Sequence, residues 1–120
     1  MITMAYDEYL GERIRQILQT KHIDFFTKKM MGGLVFMVNE KMCCGIQIDK
    51  KYGDSLLMAK IGERSYEEEI GKSVCLPMDF TGRPMKGYVF VTPDGFDLDS
   101  DLEYWIQKAL NYNREMYSKK

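Results

Sequence analysis

No stretch of this 120-residue chain approaches the roughly 20 apolar residues that a membrane helix requires; the longest purely apolar run covers only residues 34–38. Residues 1–10 carry Asp7 and Glu8, where a secretory leader would be basic and then apolar. Histidine occurs once, at His22, and cysteine three times, at Cys43, Cys44 and Cys75. Three thiols, two of them adjacent, do not make a disulfide framework and fit a reducing cytoplasm. No close pair of Cys or His forms a zinc knuckle, so no metal or cofactor is expected. A surplus of positive charge is missing as well: Lys and Arg total 17 against 18 Asp and Glu, for a net charge of −1. Domains that live on phosphate contacts usually carry such a surplus, so bulk charge favours neither nucleic acid nor an anionic membrane as a partner.

The length fits a single domain spanning residues 1–120, large enough to bury about two-thirds of its unfolded surface without staples. A first helix is predicted over residues 5–20, where Leu10, Ile14, Ile17 and Leu18 share one face. Strands follow over 24–31, 34–38, 42–48 and 55–61, separated by Gly32-Gly33, Asn39-Glu40 and the turn at 52–54. In the second strand Leu34, Phe36 and Val38 share one face and Val35 and Met37 the other, so both faces are apolar. Ser65-Tyr66-Glu67-Glu68 reads as a capping box opening a short helix, and residues 85–92 as another strand. Ser100-Asp101-Leu102-Glu103 reads as a second capping box. The helix behind it carries a stripe of Leu102, Trp105, Ile106, Ala109, Leu110, Asn113 and Met116. The expected fold is α+β: helices at both termini and one short internal helix on a mostly antiparallel sheet of five to six strands.

Among reactive groups, Cys43-Cys44 is the obvious pair. A nucleophilic thiol needs a base or a cation beside it, and nothing in the pattern brings His22 there. Strand alternation would put the two thiols on opposite faces, and buried small hydrophobes is the stronger reading. The acidic runs Glu67-Glu68-Glu69 and Asp97, Asp99, Asp101 read as helix-start electrostatics, since the second fails the calcium-loop spacing. Gly32-Gly33 leads into a strand, so it is a tight junction and not a phosphate loop. The segment 79–87 is more suggestive: Thr81, Gly82, Arg83 and Lys86 could hold an anion through backbone amides and charge. Lys28 and Lys29 would extend that basic patch if their strand lay alongside.

Three stretches carry a resemblance: Met4-Ala5-Tyr6-Asp7-Glu8-Tyr9-Leu10; Lys28-Lys29-Met30-Met31-Gly32-Gly33-Leu34-Val35-Phe36-Met37-Val38-Asn39; and Met78-Asp79-Phe80-Thr81-Gly82-Arg83-Pro84-Met85-Lys86-Gly87-Tyr88-Val89. In this order they resemble the N-terminal domain of the TfoX/Sxy competence-regulator family, with Met31 replacing the aromatic residue often found there. The resemblance implies a bacterial, cytoplasmic domain of secretion-chaperone-like fold. Full-length members also carry a helix-hairpin-helix C-terminal domain and help a cyclic-AMP receptor protein switch on DNA-uptake genes; this chain reads as a stand-alone N-terminal domain. The family supplies no accepted catalytic residues.

The resulting expectation is a non-enzymatic module that binds a protein, a transcription regulator being the partner the resemblance suggests. Its contact surface would draw on Lys28, Lys29, Gly32, Gly33, Thr81, Gly82, Arg83 and Lys86. The rival readings are direct nucleic-acid binding through Lys28, Lys29, Arg83 and Lys86, and a small enzyme using Cys43 or Cys44. A homodimer through an exposed sheet face or edge is a further expectation.

Overall fold

A computed structural model describes residues 8–30, 33–48, 55–77 and 86–118. Helix α1 (Glu8–Thr20) buries Leu10, Ile14 and Leu18, the apolar positions of its periodic pattern. Four strands run as a meander: β1 (Phe26–Met30), β2 (Gly33–Val38), β3 (Lys41–Ile48) and β4 (Ser55–Lys60). Then come α2 (Gly62–Glu69), β5 (Cys75–Pro77), β6 (Tyr88–Val91), a 3₁₀ turn at Pro93–Gly95 and α3 (Asp99–Ser118). The sheet order is β1-β2-β3-β4-β6-β5, and every neighbouring pair is antiparallel. The described residues thus have the expected α+β plan, with six strands among them; residues 5–7, Gly32, the turn at 52–54, Thr81, Gly82 and Arg83 lie outside the described residues. Strand β5 escaped the sequence reading because three residues show no periodicity. No helix among the described residues is long and apolar enough to cross a membrane.

The core lies between one sheet face and the helices. Leu34, Phe36 and Val38 of β2 meet Ile46, Leu57, Ala59, Val89 and Val91 from the neighbouring strands. Leu10, Ile14 and Leu18 of α1 and Leu102, Trp105, Ile106, Ala109 and Leu110 of α3 close over them. Trp105 keeps its indole satisfied by donating Nε1–H to the Gly95 carbonyl at 3.1 Å. The opposite face holds a smaller cluster of Val35, Leu56, Met58 and Phe90, with Met37, Met42 and Tyr88 against it. The expected split of β2 between two apolar faces is therefore present.

The β2–β3 connection is a two-residue turn with Asn39 and Glu40 both at positive φ (53° and 63°), the arrangement that matches strand twist in a tight hairpin. Helix α3 holds this turn in place. Asn113, buried at 5% exposure, donates Nδ2–H to the Val38 carbonyl (2.9 Å), and its Oδ1 accepts from Asn39 Nδ2 (2.9 Å). Arg13 does the same for the start of α3, donating to the carbonyls of Phe96 (2.8 Å) and Asp97 (3.1 Å) and pairing with Asp99 (3.1 Å).

Neither expected capping box forms. Helix α3 begins at Asp99, ahead of Ser100, and α2 begins at Gly62, which leaves Ser65 inside the helix. For α2 the reason is tertiary: the Gly87 carbonyl accepts the Ile61 and Gly62 amides at 2.8 and 3.1 Å, so the cap arrives from the turn before β6. Both glycines are at positive φ (87° for Gly62, 100° for Gly87). A Cβ on Gly62 would also lie 2.5 Å from the Tyr112 ring.

Candidate functional site

Of the expected interaction residues, the structure places Lys28 and Lys29 on β1, exposed, at one edge of the sheet. Gly33 opens β2, and a Cβ there would run into the Ile46 carbonyl of β3. Close backbone approach accounts for Gly33 without any ligand. Lys86 is exposed in the turn before β6. Because β2, β3 and β4 lie between β1 and β6, four strand spacings, roughly 19 Å, separate the Lys28–Lys29 strand from the Lys86 strand. The two basic sites are thus not brought together.

Lys86 instead lines a groove of about 580 Å³ between the start of α2 and the second half of α3. Arg64, Ser65, Lys108, Asn111, Tyr112 and Glu115 share its walls. Sequence reasoning missed Arg64 and Lys108 because they come from two other elements, with no spacing rule linking them to Lys86. The groove is open and mixed in charge, with Glu63 and Glu115 beside the three cations.

A second polar cluster fastens α2 to α3. Glu69 is only 4% exposed; it accepts a 2.6 Å bond from the Tyr104 hydroxyl and pairs with Lys72 at 2.7 Å. The Lys72 ammonium also lies 5.0 and 5.6 Å from the centroids of the Tyr104 and Trp105 rings. Burial pushes the Glu69 carboxyl up, but the bonds from Lys72 and Tyr104 and the charges of Lys72 and Lys108 outweigh it and hold it below its ordinary value. The bond to Glu69 raises Lys72, and burial followed by Glu69 raises Tyr104. All three groups move away from neutrality, whereas acid–base catalysis needs them near the working pH. The cluster therefore acts as a clasp.

The thiols overturn one expectation. Phe36 pairs with Cys44 and Met37 with Met42, so Cys43 is the extra residue of a β-bulge. The bulge breaks strand alternation, and both Cys43 and Cys44 are fully buried in the helix-side core. Their mutual hydrogen bond, then burial and the Cys43 charge, push Cys44 well above the usual thiol range. Burial first, and the Glu69 charge second, push Cys75 up to about 11. His22 is exposed in the turn after α1, with φ of 59°. A reactive thiolate needs the opposite environment. Among the described residues no three His, Cys, Asp or Glu side chains converge as a metal site would require.

Comparison with known proteins adds the family. No curated protein and no solved structure matched the chain. The model of the TfoX N-terminal domain matches residues 21–112, which takes in every described strand, α2 and more than half of α3. With the helix–sheet plan and the Lys28–Gly33 and Lys86–Gly87 stretches inside that span, the chain belongs to the TfoX N-terminal domain family.

Proposed function

We propose that this TfoX N-terminal domain is a cytoplasmic, non-enzymatic module that binds another protein, in the service of transcription regulation. The observation that carries the reading is the family match over residues 21–112. The chemistry supports it: all three thiols are buried, those of Cys44 and Cys75 are pushed up, and Glu69, Lys72 and Tyr104 are engaged with one another. The rival thiol enzyme would need Cys43 or Cys44 at a surface, and both are fully buried. Affinity capture from nuclease-treated host lysate tests the reading. Wild type should retain a protein partner, with unchanged yield after thiol alkylation of the native domain. The Lys28→Ala/Lys29→Ala and Arg83→Ala/Lys86→Ala variants then report which basic site makes the contact. Retention that disappears with nuclease would replace this reading with nucleic-acid binding.

A further inference from the structure

The two edges of the sheet differ in what they can accept. Strand β5 has three residues and ends at Pro77, whose nitrogen has no hydrogen to donate. Its first amide, Cys75 N–H, is already bonded to the Lys72 carbonyl at 3.0 Å. Strand β1 has five residues, no proline and an unbroken register with β2 from Phe26↔Met37 to Met30↔Gly33. Among the described residues, none of its backbone groups bonds outside that ladder. An antiparallel edge of this kind presents alternate N–H and C=O groups to an incoming strand.

We propose that the outer edge of β1 docks an extended, acidic peptide segment of a partner protein, which adds to the sheet as its next strand. The inference rests on the protein-binding reading and names its surface and partner chemistry. Side chains on β1 set the sequence of that segment. Phe26, 47% exposed, and Lys28 share the face away from the helices, where the Lys28 ammonium lies 5.9 Å from the Phe26 ring centroid. Lys29 points to the helix side beside Leu34. An added antiparallel strand therefore meets a cation on each face at adjacent positions and an aromatic ring two residues further on. Acidic residues opposite Lys28 and Lys29 and an apolar residue opposite Phe26 complement that order. Asp24, the acid before the strand, lies outside the paired residues. A second copy fits poorly. Pairing all five β1 residues about a two-fold axis sets Lys28 directly against its own copy, and like charges placed opposite are destabilising.

The test uses a fluorescent peptide that repeats Glu-Glu-Thr-Val twice, its lysine counterpart Lys-Lys-Thr-Val, and the acidic peptide N-methylated at alternate amides, each followed by anisotropy at low salt. Wild type should bind the acidic peptide saturably and ignore the other two. Lys28→Glu/Lys29→Glu should weaken the acidic peptide roughly tenfold, as expected for two cross-strand charge pairs, and should take up the lysine peptide. That gain also shows the variant to be folded. The proposal is overturned if the acidic peptide does not bind, if the variant binds it equally, or if N-methylation changes nothing. It is likewise overturned if oligothymidine binds through these lysines while the peptide does not. A captured protein partner still retained by Lys28→Glu/Lys29→Glu would sink this surface and leave the protein-binding reading standing; no retained protein and no peptide binding would sink both.

Discussion

The two faces of the sheet are built to different standards. On the helix side, Phe36, Leu57, Val89 and Val91 are fully buried beneath α1 and α3, and aromatic and branched residues interlock around them. On the far side, Val35, Leu56, Met58 and Phe90 retain 5–8% exposure. Two methionines, Met37 and Met42, are packed against that cluster, and no described helix contributes to it. It runs out at exposed Phe26 on one edge strand and Leu76 on the other. Shape-specific packing thus belongs to one face, and flexible methionine filler softens the other. The domain's unique fold is set mainly from the helix side.

Truncation should separate the two faces most. Phe36→Ala should cost about 3–5 kcal/mol and Met58→Ala about 2 kcal/mol in urea unfolding; equal costs would break the distinction. Next comes alkali, because the raised thiols Cys44 and Cys75 belong to the helix-side core. A group whose folded pKa is raised stabilises fully below its unfolded value and loses that contribution as pH rises through the folded one. For Cys75 the window runs from 9.0 to about 11. Stability should fall across it by roughly 2 kcal/mol from this thiol, and Cys75→Ala should flatten the pH profile there.

Asn113→Ala removes the bridge between α3 and the hairpin, its two hydrogen bonds to the Val38 carbonyl and the Asn39 side chain, for about 2 kcal/mol. Hydrogen exchange should rise at the β2–β3 turn before it rises in β4. Glu69→Gln should cost about 1 kcal/mol near neutrality, since half-exposed Lys72 is partly screened by solvent. Its sign with pH is opposite to that of the thiols. A depressed carboxyl stabilises above its unfolded pKa and loses the effect as pH falls through its folded value, so the variant should show a shallower acid transition. Smallest is Met37→Leu on the far side, expected under about 1 kcal/mol in the same unfolding assay.

What could be read from the sequence was what its neighbours in the chain determine. The i, i+4, i+8 spacing of Leu10, Ile14 and Leu18 and the stripe from Leu102 to Asn113 identify buried helix faces directly. The alternation from Leu34 to Val38 identifies both sheet faces. Where the determinant lies far along the chain, local rules went astray. Ser65 looked like a cap because nothing near it announces that Gly87 supplies one. Cys43 looked like an ordinary strand residue because a bulge is a property of the pairing with β2. The candidate site shares that limit: Lys86 stood out by its glycine-rich surroundings, whereas Arg64 and Lys108 become its neighbours only through the packing of α2 and α3.

The borrowed cap on α2 makes a local element depend on distant ones. An eight-residue helix is too short to persist alone in water. The amides at its start find their acceptor in the carbonyl of Gly87, distant in the chain. The start of α2 is thus tied to the turn that leads into β6, and its end to α3 through the Glu69 clasp. The segment from Ile61 to Lys72 is therefore held at both ends by distant parts of the chain, so that any local opening of it must release the contact with Gly87 at one end or with Tyr104 at the other.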